Sequence, residues 1–90
     1  MNIINQKTGW IEVICGSMFS GKTEELIRRI RRAEYAKQKV LVFKPAIDDR
    51  YDANNIVSHS QMQAPSIPIN QASEIYSHLQ DDTQIVAIDE

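Results

Sequence analysis

This chain has few residues that cross-link a fold or anchor it in a membrane. Cys15 is its one cysteine, which excludes an internal disulfide framework and a multi-thiolate metal site within these 90 residues. No apolar run approaches the roughly 20 residues of a membrane-spanning helix. The first residues also lack the basic-then-apolar pattern of a secretory signal. We therefore expect a soluble, cytoplasmic protein in a reducing compartment.

Basic residues are absent from the second half of the chain beyond Arg50. All ten Lys and Arg residues lie within residues 1–50, which carry a net charge of +4, whereas residues 51–90 carry −6. A basic first half favours a polyanionic partner. A nucleotide and a nucleic acid both fit that description, so charge alone does not choose between them.

The spacing of apolar residues predicts strands that alternate with helices. Short runs rich in β-branched residues predict buried strands, and apolar residues three and four apart predict helices. The predicted strands are residues 10–15, 40–43 and 85–88, with a brief extended piece at Ile56 and Val57. The first predicted helix runs from Lys22 to about Ala36, with Leu26, Ile27, Ile30 and Ala33 on its apolar face. The second is capped by Asn70 and runs to Leu79, with Ala72, Ile75, Tyr76 and Leu79 on one face. Such alternation indicates an α/β fold with a parallel sheet covered by helices on both faces.

The chain stops at the carboxyl end of the third predicted strand. In open α/β sheets the ligand binds beside the carboxyl ends of the strands. The loop that would complete such a site after residue 90 is not in the sequence. We therefore expect residues 1–90 to be the N-terminal part of a larger domain.

The segment that joins the first predicted strand to the first predicted helix matches the phosphate-loop pattern G-x-x-x-x-G-K-[ST]. Its residues are Gly16, Ser17, Met18, Phe19, Ser20, Gly21, Lys22 and Thr23. A strand before the motif and a helix after it are the context that the pattern requires. Backbone N–H groups and the helix N-terminus would hold phosphate oxygens, Lys22 would contact the β- and γ-phosphates, and the Thr23 hydroxyl would bind Mg²⁺. The motif predicts binding of a nucleoside triphosphate.

An acidic pair follows the last predicted strand. Asp89 comes directly after the apolar run at 85–88, where phosphate-loop proteins keep a second contact to Mg²⁺. The adjacent Glu90 would accept a proton from an attacking hydroxyl or water. We assign Asp89 to Mg²⁺ and Glu90 to general base.

Together these residues resemble the thymidine kinase family of the cellular, zinc-containing type. The resemblance runs from Trp10 to the end of the chain and is carried by the phosphate loop with its internal Met18-Phe19, the segment Glu25-Leu26-Ile27-Arg28-Arg29, the segment Lys44-Pro45-Ala46-Ile47-Asp48-Asp49-Arg50-Tyr51, the segment Val57-Ser58-His59, and Ile88-Asp89-Glu90. It implies a RecA-like P-loop NTPase fold that is incomplete in residues 1–90. It also implies transfer of the γ-phosphoryl group of ATP to the 5′-hydroxyl of thymidine or deoxyuridine, in nucleotide salvage for DNA synthesis.

The resemblance also implies roles for single residues. Glu90 would be the proton acceptor, and Asp89 with Thr23 would organise Mg²⁺. Asp48 and Arg50 would lie on the ATP side of the site, and Met18 would turn towards the base. Zinc and a homotetramer are implied for the parent protein, with the zinc-binding lobe beyond residue 90 and no zinc ligand in this segment. The partners are then ATP and a nucleoside, without nucleic acid or membrane.

The remaining candidate residues have plainer interpretations. Cys15 is expected to be a small buried residue, Trp10 to anchor the start of the first strand, and the two histidines to be structural or solvated. The four arginines between positions 28 and 32 favour a solvated helix face over a nucleic-acid contact.

Rival functions for this phosphate loop stay open at the level of sequence. A motor or remodelling ATPase would use the Asp-Glu pair to polarise water, a GTP-binding switch would keep its guanine-reading element elsewhere, and a non-catalytic nucleotide-binding fragment would need no base. We expect residues 1–90 alone to phosphorylate nothing.

Overall fold

The computed structural model describes residues 9–46, 54–58 and 62–89. Its helices are α1 (Lys22–Tyr35) and α2 (Ile75–His78), the latter preceded by a 3₁₀ turn at Ala72–Glu74. Its strands are β1 (Val40–Pro45), β2 (Asn55–Val57), β3 (Gln63–Pro65), β4 (Ile67–Ile69) and β5 (Ile85–Ile88). None of the helices in these ranges is long and apolar enough to cross a membrane.

The long helix α1 forms where the apolar spacing predicts it. Its buried residues are Ile27, Ile30 and Ala33, which share one face, and acidic residues in its first turn complement the positive end of the helix. The helix ends in a Schellman motif, in which the Gln38 amide donates to Ala33 O (3.0 Å) and the Lys37 amide donates to Glu34 O (2.9 Å). Lys37 reaches that geometry with a φ of 61°.

The main sheet has three parallel strands in the order β4-β1-β5. β1 and β5 coincide with predicted strands, and they pair from Val40 opposite Ile85 to Phe43 opposite Ile88. β4 is a strand that the apolar pattern did not predict, because Pro68 lies at its centre. Proline is tolerated there because β4 is an edge strand of this sheet, where the missing N–H costs no ladder bond. The predicted parallel α/β arrangement is confirmed.

The core lies between α1, the sheet and a small antiparallel hairpin formed by β2 and β3. Its buried members are Ile27, Ile30, Val42, Ile56, Ala64 and Ala87. On the opposite face of β1, Phe43 is fully buried and its ring meets the His78 imidazole of α2 edge to face at 5.6 Å. His78 is thus a structural residue, as predicted, and helices flank the sheet on both faces.

The predicted strand at residues 10–15 is wrong. This segment has no regular secondary structure, and Trp10, Ile11, Val13 and Cys15 are exposed. A strand requires a neighbour for its backbone groups, and in the described residues neither β4 nor β5 pairs with this segment. Cys15 is therefore not buried, and Trp10 anchors no strand; its indole N–H donates instead to Glu12 (2.9 Å).

The predicted helix at 70–79 is shorter than expected. It consists of the 3₁₀ turn and the single turn of α2, and Tyr76 and Leu79 are exposed, so the expected apolar face is wrong. The start is capped by the Glu74 carboxylate, which accepts from the amides of Asn70 (2.8 Å) and Gln71 (2.7 Å). Gln71 rather than Asn70 is the N-cap residue. Leu79 then leaves the helix with an extended backbone.

Candidate functional site

The predicted phosphate loop is a tight turn directly before α1. Within it the Ser20 amide donates to Ser17 O (3.1 Å). Gly21 is the N-cap of α1 and has a φ of 91°, a left-handed conformation that glycine adopts without strain. Phe19 also has a positive φ, 67°, which is uncommon for a bulky residue and occurs most often at functional loops.

Gly16 packs closely against Ser20 inside this loop. A Cβ at Gly16 would lie 2.5 Å from Ser20 Oγ and 3.2 Å from Ser20 Cβ. A side chain at position 16 would therefore require the Ser20 hydroxyl to rotate away and Ser20 Cβ to move by a few tenths of an ångström. This close packing makes the turn compact, as a cradle for phosphate oxygens must be.

The N-terminus of α1 adds positive potential next to the loop. Lys22 and Thr23 open the helix and are half-buried, whereas Met18 and Phe19 project from the loop with 63% and 74% of their surface exposed. The first amides of a helix have no partner within the helix and carry the positive end of its dipole. The arrangement suits an anion bound in front of Lys22.

The structure brings two of the predicted site residues into contact across the chain. The Thr23 hydroxyl donates to Asp89 Oδ1 at 3.3 Å, although the two residues are 66 positions apart. Asp89 is held at the carboxyl end of the parallel sheet, because its amide donates to Phe43 O (2.9 Å) on the neighbouring strand. The phosphate loop and the end of β5 thus meet at one edge of the sheet.

These oxygen atoms fit the chemistry of Mg²⁺. A hydroxyl and a carboxylate are hard oxygen donors, and Mg²⁺ in nucleotide sites is held by one or two such groups together with phosphates and waters. No group of three or more His, Cys, Asp or Glu residues that could hold a metal is found in the described part of the chain. The pair fits a metal that also binds the phosphates of a nucleotide.

Three predicted site residues lie outside the described residues. They are Asp48, Arg50 and Glu90. His59 also falls outside these ranges.

A charge network lies at the base of the loop. Glu25–Arg29 and Glu24–Arg28 have the four-residue spacing that favours ion pairs on a helix, and both pairs are present, at 2.8 Å and 3.5 Å. Glu12, which precedes the loop, joins this network through a 2.7 Å contact with Arg29. The contact between Glu12 and Arg29 could not be predicted, because the two residues are far apart in the sequence and share no motif. The predicted solvated face of α1 is thus confirmed, with Arg28 and Arg32 more than half exposed.

Hydrogen bonds in this network shift the pKa values of its members. The Trp10 indole N–H, followed by Arg29, holds the pKa of Glu12 below its ordinary value of 4.5. Arg29 likewise lowers the pKa of Glu25, and Glu25 raises the pKa of Arg29. All three groups are therefore charged at neutral pH.

The burial of Lys44 could not be predicted from the sequence. Lys44 has only 3% of its surface exposed and donates from Nζ to Asn55 O (3.1 Å). Its place at the end of an apolar strand gave no sign of burial, because lysine at a strand end normally reaches solvent. The contact ties the β2–β3 hairpin to β1.

Comparison with known protein families identifies the chain. The family model described as thymidine kinase matches residues 9–90. The match includes the phosphate loop, α1, all strands of the sheet and Asp89. The chain belongs to the thymidine kinase family.

Proposed function

We propose that this protein transfers the γ-phosphoryl group of ATP to the 5′-hydroxyl of thymidine or deoxyuridine. Family membership makes it a kinase, with a nucleoside and ATP as the substrates that the family implies. The observation that carries the site assignment is the 3.3 Å contact between Thr23 and Asp89. This contact supports the proposal because it brings a hydroxyl and a carboxylate, both of which are groups that can bind Mg²⁺, beside a loop whose turn and helix N-terminus suit phosphate.

The residues of the chain have separate tasks in this reaction. The loop from Gly16 to Gly21 would hold the phosphates through its backbone amides, and Lys22 would neutralise charge on the β- and γ-phosphates. Asp48 and Arg50 are proposed to line the ATP side, where the guanidinium would stabilise the charge of the transferring group. Met18, exposed on the loop, is proposed to face the base.

The transfer forms one phosphorus–oxygen bond and breaks another. The 5′-oxygen of the nucleoside forms a bond to the γ-phosphorus, and the bond between that phosphorus and the oxygen bridging to the β-phosphate breaks to release ADP. Glu90 takes the proton from the hydroxyl. Thr23 and Asp89 would hold Mg²⁺, which when bound neutralises charge on the phosphates.

Further properties of the parent protein belong to the same proposal. By resemblance to the zinc-containing type, we propose a RecA-like P-loop domain, a zinc site outside residues 1–90, a homotetramer and a cytoplasmic location. The sole cysteine of this segment fits that placement of the zinc ligands.

The test is the Glu90→Gln variant of the full-length protein. We expect kcat for thymidine to fall by ~10²–10⁴ while ATP affinity stays nearly unchanged, because the general base is lost and the phosphate contacts remain. Asp82→Asn, which neutralises an exposed acid in the turn before β5, is the matched control and should leave kcat unchanged.

Two results would contradict the proposal. An unchanged kcat in Glu90→Gln would remove Glu90 from the role of base. Hydrolysis of ATP by the unmodified protein without any thymidine-dependent formation of ADP would exclude the kinase reaction and support a motor or remodelling ATPase.

A further inference from the structure

Arg29 connects the two chain segments between which the phosphate loop lies. Its Nη1 is 2.7 Å from Glu12 Oε1, in the segment before the loop, and its Nε is 2.8 Å from Glu25 Oε2, on α1 after the loop. The Trp10 indole N–H donates to the other oxygen of Glu12. One guanidinium is thus shared by carboxylates on both sides of residues 16–21.

In the described chain, residues 10–15 have no regular secondary structure, and Ile11 and Val13 are largely exposed. The bridge through Arg29 ties this segment directly to α1. It therefore bears on where the first residue of the loop lies relative to the helix N-terminus. Because a phosphate is held by amides from both ends of the loop, their relative position decides how well those amides converge.

We propose that Arg29 is a positioning residue for the phosphate loop: with Glu12 and Glu25 it holds the two ends of the loop in the geometry that binds ATP. This rests on the proposed role of the loop in ATP binding. In this role Arg29 acts through the chain on either side of the loop, by way of its contacts with Glu12 and Glu25.

Arginine suits this role for a physical reason. Its planar guanidinium offers N–H groups in several fixed directions, so that it can donate to two carboxylates at once, whereas the ammonium of lysine acts as a single point charge. The raised pKa of Arg29 agrees with both contacts being made. Arg28, one residue earlier, has the same charge but is 3.5 Å from Glu24 and 3.8 Å from Glu25, both on its own helix.

That difference makes Arg28 a matched control. Replacing either arginine by methionine removes one charge from α1 and keeps an unbranched side chain with good helix propensity. Only Arg29→Met breaks a link between α1 and the segment before the loop.

The experiment is a double-mutant cycle in the full-length protein. Glu12→Gln, Arg29→Met and the double variant are compared for ATP dissociation constant in the presence of Mg²⁺, KM for ATP, KM for thymidine, kcat and Tm. We expect each single variant to weaken ATP binding by about two- to fivefold, the range of exposed ion pairs. The double variant should bind ATP no more weakly than the single variant with the lower ATP affinity, because Glu12→Gln and Arg29→Met remove the same contact.

The accompanying measurements separate positioning from general stability. KM for ATP should rise while kcat and KM for thymidine remain as in the unmodified protein. In the control cycle, Arg28→Met should leave ATP binding unchanged, and its combination with Glu12→Gln should equal Glu12→Gln alone.

The proposal is overturned if Arg29→Met leaves ATP affinity unchanged, if Arg28→Met weakens it equally, or if the effects of Glu12→Gln and Arg29→Met simply add. These outcomes are distinguishable from failure of the proposed kinase function. ATP binding tests the bridge even in a protein that phosphorylates no thymidine, whereas thymidine phosphorylation tests the reaction.

Discussion

At the scale of the residue, Gly16 determines how closely the phosphate loop can turn. The position of its missing Cβ is only 2.5 Å from Ser20 Oγ, a separation that close-packed atoms do not tolerate. The need here is for space between two parts of the loop. At Gly21, by contrast, the need is for a left-handed backbone, with a φ of 91°.

Gly16→Ala should therefore weaken ATP binding by about threefold, because the Ser20 hydroxyl must rotate away and Ser20 Cβ must move to admit the methyl group. The measurement is ATP titration of the full-length variant by calorimetry. The Gly16→Ala substitution should weaken ATP binding less in the Ser20→Ala background than in the unmodified protein. Removing the hydroxyl leaves Ser20 Cβ at 3.2 Å as the closest remaining contact.

Gly9→Ala is the control for this substitution. Among residues 9–46, 54–58 and 62–89, nothing lies within 4 Å of a Cβ at Gly9, so this variant should bind ATP like the unmodified protein. If Gly16→Ala binds ATP normally, the close approach of residues 16 and 20 is not needed for phosphate binding.

At the scale of the element, α1 combines a well-formed C-terminus with one unfavourable residue. The two hydrogen bonds of its Schellman motif are complete, yet the position that requires a left-handed backbone is occupied by Lys37 rather than glycine. A side chain in that conformation costs about 1–2 kcal/mol, since Cβ approaches the following carbonyl oxygen.

Lys37→Gly should accordingly raise the free energy of unfolding by up to about 1 kcal/mol, after part of the gain is offset by the greater freedom of glycine in the unfolded chain. Denaturant unfolding of the full-length protein measures it. Gln38→Gly, at the next position and without a positive φ, should instead destabilise the protein. Destabilisation by Lys37→Gly would contradict the strain argument.

The elements also show how far the sequence determines the fold. α1, β1 and β5 could be predicted because each has a local pattern: a helical stripe for α1, and compact apolar runs for the two strands. Residues 10–15 carry an equally good strand pattern, but a strand exists only if another strand pairs with it, and a local pattern contains no information about partners. β4 could not be predicted because its local sequence, which contains Pro68, does not favour a strand. It is a strand because it pairs with β1.

In the candidate site, too, local motifs could be predicted and tertiary contacts could not. The phosphate loop is contiguous, so its eight residues could be recognised from the motif, and Asp89 was a candidate because it follows a predicted strand. The Glu12–Arg29 contact joins residues 17 positions apart that share no motif, and the burial of Lys44 depends on where the hairpin lies. Contacts of this kind depend on tertiary packing and could not be predicted from spacing.

At the scale of the whole molecule, the sheet is what brings Thr23 and Asp89 together. Parallel pairing aligns the carboxyl ends of β1 and β5, and the bond from the Asp89 amide to Phe43 O continues this alignment by one residue. Because α1 packs its buried face on the same core, its N-terminus reaches the same edge. Ligand binding at this edge should therefore be linked to the stability of the entire fold.

That linkage predicts how Mg²⁺ and ATP change thermal stability. In the unmodified full-length protein, ATP at a hundred times its dissociation constant should stabilise the fold by about 2.7 kcal/mol. ATP with Mg²⁺ should raise Tm more than ATP with a chelator does.

Asp89→Asn keeps an oxygen for the Thr23 hydroxyl but loses the charge. It should therefore lose most of the Mg²⁺-dependent rise and retain the rise that ATP gives alone. Asp82→Asn, in the exposed turn, should show the full Mg²⁺ effect. An Asp89→Asn protein with an undiminished Mg²⁺-dependent shift in Tm would mean that the carboxylate beside Thr23 does not hold the metal, and its contact with the phosphate loop would then be structural.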